Sequence, residues 1–542
     1  MSGIKIFNAR KIITMDVNRP EATHVAVRGG RILAVGNKAE ASSWGEAEID
    51  TRYADQVIMP GFVEGHAHIV AGGIWKYVYT GFHDRMKPDG KSVKAMTTIE
   101  DVLAHLTSEE RKLEDPDVPL VGWGFDPIFL EGRRLDRHHL DQISATRPIA
   151  VLHSNFHLLT ANTPALALAQ YTKGTNVEGV VLEKDGSPNG ELQEMAAMFP
   201  ILRRLKVDFS DLSKDPEGVR AYGDVARLCG VTTVTDLFAE LDDEEVSQLE
   251  QITAEPEFPV RLVPALNALG GPAAEIADRA LALRPRSTAK LRLGIVKLMT
   301  DGAIQGYTAQ LKEPHYFKGP NNGIWNIAPE QLHETVALLH SKGIHMHIHV
   351  NGDRASEVAL DAMEHALAKH PRGDHRHTLQ HVQLADRAQF RRMASLGLCA
   401  NLFANHIYYF GDKHYELTIG PDRANRMDAC ANALDLGVPL AVHSDAPVTP
   451  MAPLFTAWCA VNRQTASGRV LGPNQCISVA EALRAITLGA AYTLKMDGEI
   501  GSIECGKRAD FAVLGSDPLA GNPRELKDVP VVATVLDGEP TA

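Results

Sequence analysis

The sequence predicts an α/β protein built on a closed (β/α)8 barrel, with a smaller β domain to which both chain ends contribute. Three observations carry this. Strand-like and helix-like segments alternate through the middle of the 542 residues. Both ends are rich in short β segments. One interval, 70–225, breaks the alternation and is too long for a single βα loop.

Taken in order, IKIFNARKIITM and THVAVRGGRILAVG alternate apolar and polar residues, punctuated by Gly29, Gly30 and Gly36. The first reads as an exposed strand and lacks the apolar core of a signal peptide. VIMPGFVEGH then reads as one strand that opens the barrel. The 70–225 interval holds its own helix at TTIEDVLAHLTSEERKL, opened by a capping box from Thr97 to Glu100, and the aromatic cluster VGWGFDPIF. It is expected to cover the barrel mouth as an insertion, with an independent domain as the alternative. Seven further strands are VTTVTDL, PVRLVPALNA, LRLGIVKLMTDG, GIHMHIHV, RHTLQHVQL, GLCANLFAN and VPLAVHSD. Helices separate most of them. In APEQLHETVALLHSKG, Pro329 sits in the first turn, Leu332, Val336 and Leu339 share a face, and Gly343 ends the helix. DRAQFRRMASLG has the same form. Each helix carries the chain back across the sheet, which demands parallel pairing, and eight strands suit closure. GSIECGKRADFAVLG and PVVATVLDG match the N-terminal style. Residues 1–57 and 497–542 are therefore expected to join into one sheet domain beside a barrel of 58–496.

Composition narrows the function. Asp plus Glu number 68 against 55 Lys plus Arg, a net charge of −13 that disfavours a nucleic-acid partner. No run of about 18 apolar residues is present, which speaks against a membrane-spanning helix. The six cysteines show no CxxC spacing and read as reduced thiols of a cytoplasmic protein.

The 23 histidines concentrate the argument. His66 and His68, two apart at a strand end, point to one face and can reach one ion. Other strands end alike: His349 closes HMHIH, with His345 and His347 deeper, His381 closes LQH, and Asp445 follows VPLAVHS. Imidazole and carboxylate together suit a divalent transition metal, most often zinc. Lys297 lies in the apolar strand GIVKLM, where burial lowers its pKa and a neutral amine can take up carbon dioxide as a carbamate able to bridge two ions.

PGFVEGHAH, VKLMTDG, HIHVNGDRA, LQHVQL, HSDAP and GSIECGKRADFAVL together resemble the amidohydrolase superfamily over nearly the whole chain. LDQISATRPIAVLHSNFHLLTANTPAL is similar to its large-chain branch, which includes N-substituted formamide deformylase. The resemblance implies a TIM-type barrel with a composite β-sandwich, metal held by His66, His68, His349, His381 and Asp445, and Lys297 as the bridging carboxylated lysine. It also places His157, Glu194 and Asp301 near the substrate or in support of the site. Asn351 and His443 depart from residues common in relatives, and both are expected near the mouth, where they would affect specificity.

Other motifs are declined. GSIECGK has P-loop spacing, but Arg508 stands where Ser or Thr would hold magnesium. No GxSxG is present, and His333 and His340 are too far apart for a zincin pair. His138, His139, His365 and His370 read as solvated. The expected chemistry is hydrolysis of a C–N bond in a small or medium amide by metal-activated hydroxide, with zinc or a similar ion, two per chain. Asp445 is the expected proton shuttle; His381 and His157 are both candidates for the oxyanion. Trp123, Phe125, Phe129 and Trp325 are expected either to line a pocket for an apolar substituent or to lie in the core. The alternatives are hydrolysis of cyclic amides or carbamates, a deaminase on the same fold, and a silent assembly protein. A homo-oligomer is compatible with any of them.

Overall fold

The computed structural model describes residues 3–130, 134–207, 209–269 and 271–541. Eight parallel strands form one sheet in sequence order: β1 (Phe62–Glu64), β2 (Val231–Ala239), β3 (Arg261–Asn267), β4 (Ile295–Met299), β5 (His345–Val350), β6 (Thr378–His381), β7 (Cys399–Leu402) and β8 (Leu440–Val442). The two edges meet beyond the strands. Ala67 bridges Ala446 in parallel, Asp445 N–H donates to His66 O at 3.0 Å, and His68 N–H donates to Ala446 O at 2.9 Å. The sheet thus curls on itself as a barrel of the TIM type.

Alternation along the strands sorts two cores. Val296, Leu298, Met346 and Ile348 point outward against Leu332, Val336, Leu339 and Ala359 of the surrounding helices. Val63, Val263, Ala265, Ile295 and Ala441 point inward and are plugged from below by Ala490, Ala491 and Leu494. The helix Pro329–Ser341 forms as expected, followed by Gly343 at φ +70. So does Arg387–Leu396, closed by Gly397 in the left-handed region.

VIMPGFVEGH is two strands, not one. Val57–Pro60 pairs antiparallel with Phe511–Leu514, whereas Phe62–Glu64 enters the barrel. Gly61 makes the switch possible, because a Cβ there would lie 2.0 Å from Thr232 Oγ1. The barrel therefore starts at Phe62 rather than at 58. Strands from both ends form one eight-stranded sheet, whose path runs Glu539–Pro540, Val531–Leu536, Phe511–Leu514, Val57–Pro60, Ile4–Ile13, Glu21–Arg28, Arg31–Gly36, with Ala47–Asp50 paired to Ile4–Ile13. Ile4–Ile13 is interior to that sheet and buries Ile4, Ile6, Phe7, Ile12 and Ile13, so it is not the exposed strand that its charge pattern suggested.

The long interval folds around a six-stranded sheet of Val180–Leu182, Pro188–Gln193, Leu158–Ala161, Ile149–His153, Leu120–Phe125 and Val78–Tyr79, in that order. It ends earlier than 225: the helix Pro216–Leu228 packs Val219, Tyr222 and Ala226 into the barrel's outer core. Its first long helix is Ile99–Glu110, capped one residue later than expected. Thr98 accepts from Asp101 N–H, and the Asp101 carboxylate accepts from Thr98 N–H. This start turns Ile99, Val102 and Leu106 inward together.

Candidate metal centre

The strand ends bring imidazole and carboxylate groups to one end of the barrel. His66 and His68 follow β1 and are tied to β2, where Ala67 N–H donates to Thr235 Oγ1 at 3.1 Å. His66 Nδ1–H donates to Gln380 Oε1 at 2.8 Å, which turns Nε2 toward Lys297 Nζ (3.2 Å) and Asp445 Oδ1 (3.5 Å). Gln380 is itself held by Asn401 at 2.9 Å and by His347 at 2.6 Å. A fixed acceptor behind a ring sets its tautomer and direction. His68 donates from Nε2 to Asp445 Oδ1 at 3.2 Å, with its Nδ1 3.6 Å from Asp236. The His381 ring lies 4.5 Å from those of His66 and His349. Among the described residues its Nδ1 is buried without a hydrogen-bond partner, 3.8 Å from Asp445 Oδ2.

Donor atoms of His66, His68 and Asp445 lie within 4.8 Å of one another, as do those of His66, His381 and His443. Nitrogen and carboxylate donors at this spacing fit a zinc-type ion, and coordination would satisfy the orphaned His381 nitrogen. A cavity of about 470 Å³ opens above these groups, reaching His66, His68, Lys297, His349, His381, His157 and Asp445. Its lining also holds an apolar set, Phe156, Met195, Phe199, Leu202 and Val207 of the insertion with Leu237 and Phe238 of β2, interspersed with the charged Arg203, Lys214, Glu240 and Asp242.

The profile described as Amidohydrolase family matches residues 54–542. The chain belongs to the amidohydrolase family. As such it is a metal-dependent C–N hydrolase. It is 27% identical to N-substituted formamide deformylase of Arthrobacter pascens, over 99% of this chain and 98% of that protein. It is also 27% identical to putative amidohydrolase YtcJ of Bacillus subtilis (strain 168), over 89% and 88%. Among solved structures, an uncharacterized metal-dependent hydrolase from Pyrococcus horikoshii OT3 superposes with a TM-score of 0.71 at 20% identity, over 96% of this chain and 99% of that one, a likeness of fold.

In this amidohydrolase the ring charges are set by burial. His66, His349 and His381 are held well below the ordinary histidine range, chiefly by burial, so they are neutral as ligands must be. Burial lowers Lys297 to about 7, against the opposing pull of Asp445 and Asp236. Burial works against charge on His68 too, but Asp236 and Asp445 raise it on balance. Asp445 in turn stays below the usual carboxylate range, because bonding to His68 overrides its burial.

Not all the expected site residues face the cavity. Trp123 and Phe125 are core: Trp123 packs edge-on to Trp75 and Tyr79, each at 5.0 Å, and Phe125 lies 5.1 Å from His153. Both sit on the strand next to the edge of the insertion sheet and are almost fully buried. Asn351 and His443 are likewise not at the mouth. Asn351 Nδ2 donates to Gly302 O at 2.8 Å and stands 3.2 Å from His349 Nε2. His443 is fully buried and stacks on His66 at 4.6 Å and on Phe403 at 4.8 Å. His157 lines the cavity, with its Nδ1–H donating to Glu194 at 2.8 Å. Asp301 lies beneath, accepting from the N–H groups of Gln310, Asn351 and Gly352, and burial raises it to about 7. Phe129 stacks on Phe82 and Phe410, and Trp325 packs against the outer core.

Three contributors were missed in the sequence. Gln380 and Asp236 back His66 and His68 as described. Glu64 accepts from Ser444 Oγ–H at 2.8 Å and from the N–H groups of Ser444 and His66, which joins β1 to the end of β8. EGH and LQH contain two of these residues: alternation turns Gln380 away from its neighbour His381, whereas it puts Glu64 on the same face as His66, so Glu64 could have been read from the spacing.

Proposed function

We propose that this amidohydrolase cleaves small or medium N-substituted amides, formamides among them, at the C–N bond. The carrying observation is one cavity with Asp445 among imidazoles at its floor and an apolar set of side chains in its lining. The near full-length similarity to a formamide deformylase supports the substrate class. His66, His68 and Asp445 would hold one ion, and His349 and His381 a second. Lys297, carboxylated, would stand between them. When bound, zinc-type ions polarise a carbonyl oxygen and make water a better nucleophile near neutral pH.

The chain's own groups supply the rest. Asp445 takes a proton from the attacking water and returns it to the leaving nitrogen, a base and then an acid. His157 is favoured over His381 for the carbonyl oxygen. Burial works against its charge, but Glu194 raises its pKa on balance and occupies Nδ1, leaving Nε2 for the cavity. The insertion acts as a roof through Phe156, Met195, Phe199 and Leu202, and contact with these side chains orients the substituent. The terminal sheet is read as the family's β-sandwich, supported by Phe7 packing edge-on to Phe511 at 5.7 Å across one shared core. Six free cysteines support a cytoplasmic enzyme, and a homo-oligomer is part of the reading.

The test is a panel of formanilides, acyl anilides, hydantoins and aminopurines, read by release of amine, acid or ammonia. Amine from the anilides is expected. Ammonia from an aminopurine with inert anilides would replace amide hydrolysis by deamination; turnover confined to hydantoins would keep the chemistry and change the substrate class.

A further inference from the structure

Arg85 reaches from the insertion to the barrel's catalytic end. It lies on the short strand Arg85–Met86, paired with Ser92–Val93. Its Nη1 donates to Pro447 O and its Nη2 to Val448 O, both at 2.7 Å. These two successive carbonyls belong to the turn that starts at Asp445. Val448 N–H donates back to Asp445 O at 2.7 Å, Asp445 itself has φ +53, and Pro447 and Val448 line the cavity.

No carboxylate pairs with Arg85 among the described residues. Its guanidinium lies instead 5.8 Å from the Trp123 ring centroid and 6.0 Å from that of Tyr79. Those rings pack edge to face at 5.0 Å, and Trp75 backs Trp123 at 5.0 Å. A planar cation beside aromatic rings, with two arms on adjacent carbonyls and no carboxylate partner among the described residues to draw it away, is a rigid brace for the turn.

We infer that Arg85 is a positioning residue that braces the 445–448 turn and so aims the Asp445 carboxylate into the cavity. Trp123 and Tyr79 then act on turnover through Arg85, without touching substrate. The inference rests on the reading of Asp445 as proton shuttle. Fork geometry explains why arginine stands here: a lysine is a point donor and cannot hold both carbonyls in one plane.

The test compares R85A, R85K, D445N and R85A/D445N, with formanilide as the probe. R85A should keep wild-type metal content and a KM within about threefold, while kcat falls about 10²-fold, the scale of a reacting group displaced by about 1 Å. R85K should fold normally and recover only part of the loss. The double variant should be no slower than D445N, because a brace has nothing left to aim. Independently of any substrate, backbone hydrogen exchange at 445–449 should rise about tenfold or more in R85A, with the barrel strand His345–Val350 unchanged. Wild-type kcat in R85A beside a crippled D445N would overturn the inference alone. Multiplying losses in the double variant, or unchanged exchange at 445–449, would do the same. Normal turnover in D445N would overturn the shuttle reading itself, and with it the role given to Arg85.

Discussion

Gln380 and His381 are neighbours on one strand, yet both reach into the barrel. Alternation would turn one of them out, as it does Leu379. The left-handed backbone at His381, φ +68, breaks the alternation and lets the ring join His66 and His349 while Gln380 backs His66. Such backbone is costly for a side chain with a Cβ and persists where surrounding structure imposes it. Asp445, at φ +53, is the second case. Its substitution by asparagine keeps the shape and removes the basicity, so D445N should retain metal while kcat falls by about 10² to 10⁴. Near-normal turnover with intact metal would move the shuttle role to another group. Lys297 gives a pH prediction. Its buried amine titrates at about 7, so it is charged below that pH and neutral above it. Only the neutral amine forms a carbamate. Bicarbonate-dependent metal uptake by the apo-protein should therefore fall as pH drops through about 7; His66, His349 and His381 stay neutral there, while protonation of His68, raised by Asp236 and Asp445, would lower uptake with or without bicarbonate. Uptake that is flat from pH 6 to 8, or indifferent to bicarbonate, would count against carboxylation.

At the scale of elements, the weak point of the barrel is the seam between β1 and β8, both only three residues long. Glu64 carries much of it, accepting three hydrogen bonds from residues 444 and 66. Removing the acceptor strands those donors in the interior, so E64A should cost about 1–3 kcal/mol in urea unfolding. A variant as stable as the parent would assign closure to the Ala67–Ala446 bridge alone. The helix Glu194–Arg204 is the element that touches substrate in the proposed reading, through Met195, Phe199 and Leu202. F199A should shift the preference for phenyl over methyl substituents by roughly tenfold in KM, with metal content unchanged. An unaltered preference would take the substituent away from this wall. The expectation for Trp123 changes accordingly, from a substrate contact to a support for Arg85.

For the whole molecule, the site and the cores are separable. The barrel's outer core and the insertion core are packed from apolar side chains of strands, helices and insertion, away from the proposed ligands. Chelation should abolish turnover and lower the melting temperature while leaving the far-ultraviolet dichroism native, and added zinc should restore both, since a ligand at 100 times its Kd adds about 2.7 kcal/mol. Loss of the native spectrum on chelation would make the metal part of the fold. The sequence by itself determined seven of the eight barrel strands and the second half of the first, their parallel pairing, and the residue types of His66, His68, Lys297, His349, His381 and Asp445, because local periodicity and strand-end chemistry are written in consecutive residues. It did not determine which neighbours back them or which aromatics meet the cavity. Glu64 meets Ser444, and Arg85 meets Pro447, across more than 350 residues. Trp123 and Phe199 are both large apolar residues of the insertion, and only the packing of its sheet and helices buries one and turns the other toward the cavity.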